Sequence, residues 1–132
     1  MTKQEDMRQT HLYNTLRSLG FDDADCGALR RVSRTLRRWF ELECGNEWGA
    51  IERDEKTGKP YFRSAHDSHK IRVVDREAGA MRRLERIMAK APDLKPYIQG
   101  DPRGAALYII RPGDIPPGAT VDSCYSRGIC VY

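Results

Sequence analysis

Five arginines fall within nine residues, Arg30 to Arg38, with no acid among them. A guanidinium is planar, permanently charged and carries five N–H donors in a fork that matches paired oxygens of a phosphate or carboxylate, so an uncompensated cluster is a grip for anions. At 100° per residue Arg30, Arg34, Arg37 and Arg38 share one side of a helix, while Leu29, Val32, Leu36, Trp39 and Phe40 share an arc of about 100° on the other. Arg82, Arg86 and Lys90 repeat the pattern opposite Ala80, Met81, Leu84, Ile87 and Met88, tempered there by Glu77 and Glu85. A solvated outer face is the competing explanation for both stripes, since arginine is a good helix former. The first stripe has the fewer compensating acids and is the stronger candidate for binding. It also lacks the Gln and Asn side chains that read base edges, so phosphate contact is expected there rather than sequence-specific DNA recognition.

Arg103 and Arg127 stand in the turns "DPRG" and "YSRG", each just before an apolar strand and near Tyr97, Tyr108 and Tyr125. Arginine beside aromatics suits phosphate contact with base stacking, but Pro102 and Gly104 are ordinary turn residues and tyrosines commonly pad a half-buried sheet. The second reading is favoured. His66 and His69 flank Asp67 in a polar loop with no further ligand cluster, so no metal or cofactor is expected. No nucleophile elbow, phosphate loop or dinucleotide fingerprint is present, and catalysis is not expected. Cys26, Cys44, Cys124 and Cys130 show no C-x-x-C spacing, which argues for reduced, mostly buried thiols in a cytoplasmic protein.

Positioning these residues falls to elements with clear local signals. A first helix over about Lys3 to Leu19 stacks Leu12, Leu16 and Leu19, and Gly20 suits its left-handed stop. Phe21 can close over Leu16 and staple onto Cys26, while Asp22 caps the arginine-bearing helix, which runs to Gly45. Two strands, about Ala50 to Asp54 and Pro60 to Arg63, make a hairpin turning at Thr57 and Gly58. "KIRVV" reads as a short strand, and Asp75 opens a third helix that ends at Pro92. The last third reads as sheet: "PYIQ", "AALYIIR" and "GICVY". Ala105 to Ile110 and Ile129 to Tyr132 are apolar on both sides, so a helix, the loop "PGDIPPGATVD" or a second copy of the chain, forming a homodimer, must cover the second face. The order predicts one α+β domain over residues 1–132, with an N-terminal helical pair, a β-hairpin, a third helix and a C-terminal antiparallel sheet.

Bulk composition agrees. The 132 residues include 39% hydrophobic and 32% charged types, enough to bury a core, and the net charge of +4 hides strong segregation. No run approaches the roughly 18 apolar residues that span a bilayer, so no membrane role is expected.

Taken together, "LRRVSRTLRRWFELECG", "IERDEKTGKPYF", "DPRGAALYIIRPGD" and "YSRGICVY" resemble a family of small accessory proteins encoded by phages, prophages and other mobile elements. The resemblance runs from about Leu16 to Tyr132 and brings no catalytic residue with it. It implies a setting inside an infected bacterium and stoichiometric binding, as in anti-CRISPR and other anti-defence inhibitors. The expected partner is a host protein or nucleoprotein effector, met through the basic helix face and sheet loops. A general nucleic-acid-binding protein of phage replication or transcription, meeting RNA or DNA directly, is the alternative. A small enzyme acting on nucleotides is the weaker third.

Overall fold

The computed structural model describes residues 3–43, 48–65, 70–72, 75–101 and 104–131. Helix α1 covers Lys3–Ser18 and α2 covers Asp23–Glu43, followed by strands β1 (Trp48–Arg53), β2 (Pro60–Ser64) and β3 (Lys70–Arg72). Helix α3 (Asp75–Met88) leads to β4 (Lys95–Asp101), β5 (Gly104–Ile110) and, after two short 3₁₀ turns, β6 (Ile129–Val131). The strands form one antiparallel sheet in the order β3-β2-β1-β4-β5-β6, with α2 packed on α3, β4, β5 and β6 and α1 packed on α2 and β6. The fold is therefore α+β as expected. Hairpin and C-terminal strands are not separate units, because β1 pairs with β4 through Trp48, Gly49 and Ala50.

The α1–α2 corner is built by local chemistry. Gly20 has φ +99°, its N–H donates to Arg17 O at 3.0 Å and the Phe21 N–H to Leu16 O at 3.2 Å, which is the paired Schellman arrangement. Asp25 N donates to Asp22 Oδ1 at 2.8 Å and Asp22 N to Asp25 Oδ2 at 3.3 Å, a reciprocal capping box with aspartate in the glutamate position. Phe21, Leu16 and Cys26 are all buried, so one aromatic seals the corner.

Strand register sorts the core. Ile51, Phe62, Ile98, Leu107, Ile109, Ile129 and Val131 face the helices and meet Leu29, Val32, Leu36, Trp39 and Phe40 of α2. Ala50, Tyr97 and Ile110 lie on the opposite face with Val121 and Cys124, and Ile115 and Ala119 pack against them. Of the three ways to cover the second face of β5, the chain uses its own loop. Residues 111–128 fold back as a lid, which is why both Ile109 and Ile110 are only 1% exposed.

A polar tie joins the C-terminal end of α3 to the start of α2: Lys90 Nζ lies 2.5 Å from Asp25 Oδ2 and 3.8 Å from Asp22 Oδ2. The hydrogen bond from Lys90 holds the Asp25 carboxyl below its ordinary range, against the opposing effect of burial. A depressed carboxylate contributes stability above its unfolded pKa and loses it as pH falls through the folded value. Lys90→Met should therefore lower stability near neutrality and flatten its dependence on pH, the difference from the unsubstituted protein vanishing once pH falls below the folded Asp25 pKa. Urea unfolding of both proteins at neutral and at acid pH checks this, and equal stabilities at neutral pH would refute the tie.

Candidate docking surface on the helical layer

Because Leu29, Val32, Leu36, Trp39 and Phe40 are buried at 0–2% exposure, the rotation of α2 is set. Ser33 confirms it, donating its hydroxyl to Val131 O on β6 at 2.6 Å. The opposite side carries Arg31, Arg34 and Arg38, all exposed, with Arg30 half-buried at the border. Arg31 joins this face beside Arg38, at its far edge from Arg30.

Arg37 has another role. Its Nε donates to Ala105 O at 2.6 Å while Ala105 N donates to Glu41 Oε1 at 3.0 Å. Among the described residues β6 pairs along β5 as far as Leu107, and Ala105, next in the same alternation, has no strand partner on that side. Arg37 and Glu41, one turn apart on α2, take the place of the missing strand and satisfy both backbone groups.

Arg82 and Arg86 are exposed on α3 and line a recess with Arg53 of β1 and Glu85, on the flank away from β5. Lys90 is held by Asp25. Arg127 is exposed, and its Nη1 donates to Asp114 O at 3.2 Å within the lid. Arg103, His66, His69 and Cys44 lie outside the described residues. Tyr97 is buried beneath the lid in tilted contact with Trp48, ring centroids 6.2 Å apart, and burial pushes its hydroxyl up from the usual value. Tyr97 is thus a core residue rather than a stacking platform.

Carboxylate pairing divides the surface cations into two groups. Arg17 is held by Asp23, Arg53 by Glu85, Arg63 and Lys95 by Glu52, Lys90 by Asp25 and Arg111 by Asp93. Among the described residues, Arg30, Arg31, Arg34 and Arg38 have no carboxylate within ion-pair distance. The Glu52 cluster lay unread in the sequence, although the hairpin register aligns Glu52 with Tyr61. Tyr61 donates its hydroxyl to Glu52 Oε2 at 2.8 Å, and Lys95 Nζ meets Oε1 at 2.5 Å. Burial raises the Glu52 carboxyl, and these donors with Arg63 outweigh it, leaving a net depression. The cluster is a satisfied surface network.

Cys26 and Cys124 are buried free thiols and Cys130 is half-buried, and burial pushes the Cys26 thiol up, away from reactivity. Among the described residues no group of three His, Cys, Asp or Glu side chains is placed to hold a metal, and no helix is long and apolar enough to cross a membrane. Compared with known proteins, the chain matches no family model, no curated protein and no solved structure.

Proposed function

We propose that this is a non-enzymatic, phage-encoded binding protein of the infected cell's cytoplasm that inhibits a host defence complex, in the manner of an anti-CRISPR, by docking the arginine face of α2 on an anionic surface. The observation that carries this reading is the cluster of cations on one face of α2: among the described residues Arg30, Arg31, Arg34 and Arg38 stand together without carboxylates, whereas Arg17, Arg53, Arg63, Lys90, Lys95 and Arg111 are each paired. A positive face of this kind grips guide RNA, bound DNA or an acidic protein surface, and it is the opposite of a DNA mimic, which needs clustered carboxylates.

Patch size favours a partner with a protein component over naked nucleic acid. Arg30 to Arg38 spans about 12 Å of helix. Four cations neutralise at most about four phosphates, which gives a modest salt slope of roughly −3.6 and little affinity at physiological salt. Tight inhibition then requires contacts beyond the phosphates.

The test is a tagged pull-down from the bacterial host, with and without nuclease, repeated with Arg34→Glu/Arg38→Glu. Arg37 is left intact because its replacement would unpair the edge of β5. A nuclease-resistant stoichiometric partner, lost with the double variant at an unchanged melting temperature, is the expected result. Retention of the partner by the double variant would remove α2 as the docking face. Recovery of nucleic acid alone, with affinity falling steeply against log salt, would establish the general nucleic-acid-binding alternative instead.

A further inference from the structure

Away from the arginine face of α2, two recesses meet where α3 lies against β1. One, of about 380 Å³, is lined by apolar side chains including Ile51, Leu84, Met88 and Leu94. The other, of about 470 Å³, is lined by Arg53, Gly79, Arg82, Glu85 and Arg86. Arg53 and Glu85 line both, so the apolar and the cationic recess adjoin across this pair.

The charge arrangement there is specific. Arg53 Nε donates to Glu85 Oε1 at 3.1 Å and Arg53 Nη2 donates to Oε2, a two-point pair that neutralises the one carboxylate lining the cationic recess. Arg82 and Arg86, on either side of Glu85 in sequence, have no carboxylate within ion-pair distance among the described residues. Four residues apart on a helix, their Cβ atoms stand about 5–6 Å from each other, close enough for both guanidiniums to reach the oxygens of one phosphate. Glycine is unfavourable inside a helix, yet Gly79 lines this recess, and Arg82 Nη2 lies 4.0 Å from where its Cβ would stand. The bare backbone leaves room beside the guanidinium.

We propose that this double recess is a nucleoside-phosphate site, with the phosphate bridging Arg82 and Arg86 and the base seated among Ile51, Leu84, Met88 and Leu94. Both recesses fall in the range of about 300–1,000 Å³ usual for small-ligand sites, and an apolar slot beside a few convergent charges is their usual composition. The nucleoside phosphate is either a free mononucleotide or one nucleotide splayed out of a single strand. No residue of α2 lines either recess, so the site is testable independently of the docking face.

To keep them separate, the experiment uses Arg34→Glu/Arg38→Glu protein. Amide shifts are followed by NMR on titration with AMP, adenosine, inorganic phosphate and a single-stranded RNA pentamer. AMP should bind at least about tenfold more tightly than adenosine or phosphate, and Arg82→Ala/Arg86→Ala should weaken it by about tenfold or more. Ala89→Trp, an exposed position lining the apolar recess, should weaken AMP similarly while keeping the native melting temperature. If the pentamer binds and AMP does not, and both variants weaken the pentamer, the source is a strand and the site stands. Phosphate binding equal to AMP and indifferent to Ala89→Trp, RNA binding that neither variant weakens, or no binding by any probe would overturn the proposal.

Discussion

Alanine at position 49 should unfold the protein or leave it barely stable, at a cost of about 3 kcal/mol or more, the upper end for an overpacked site. A Cβ built on Gly49 would lie 1.9 Å from the Arg63 carbonyl oxygen, 2.8 Å from its carbon and 3.0 Å from Phe62 Cε2. Two of these neighbours are backbone, so no rotamer change relieves the clash. Strand β1 would have to move away from β2, and Gly49 is also aligned with Ile98 on β4. Displacing β1 therefore disturbs both of its pairings at once, together with the buried Phe62 that meets Phe40 of α2 edge-on at 5.1 Å. Urea unfolding monitored by circular dichroism checks the prediction. A native midpoint for Gly49→Ala would mean that β1 and β2 do not approach as closely as this register places them.

That glycine was invisible to a reading of the sequence, which found the hairpin but had no means of seeing how near the strands come. What was legible is local. The Gly20 stop, the Phe21 seal and the Asp22 cap each depend on neighbours within five residues, and each is present. Helical periodicity likewise turned Trp39 inward and Arg34 and Arg38 outward, because side-chain direction in a helix follows from spacing alone.

Long-range pairing was not legible. Arg37 sits at the edge of its arc, and its hydrogen bond depends on where β6 stops along β5, a fact set by residues far along the chain. The Arg53–Glu85 pair joins residues 32 apart, and the merging of hairpin and terminal strands depends on the β1–β4 register. The lid over β5 was one of three options that sequence could only name, because apolar strand faces state that a cover exists without identifying it.

Trp39→Ala should be the other severe substitution, costing about 3–5 kcal/mol as large-to-small replacements of buried aromatics do. Domains of this kind have roughly 5–15 kcal/mol to lose, so the variant should melt far earlier or fail to fold. Trp39 is 1% exposed and contacts Phe40 at a 6.5 Å centroid separation, within the cluster that joins α2 to the sheet. Its indole N–H, however, is buried with no hydrogen-bond partner among the described residues. An unsatisfied buried donor is itself worth about 1–3 kcal/mol of penalty. Trp39→Phe removes that donor along with part of the ring, so its cost should fall below about 2 kcal/mol, as packing lost is offset by desolvation relieved. The ratio between the two variants separates packing from polarity at this position, and urea midpoints at constant slope measure it. A Phe variant as unstable as the Ala variant would mean that the indole N–H is satisfied after all. Near-native stability for Trp39→Ala would mean that α2 is rotated from the phase described here, and Arg34 and Arg38 would then no longer mark its outer face. The core residue is in this way the control for the surface: the arginines are available to a partner only because Trp39 is not.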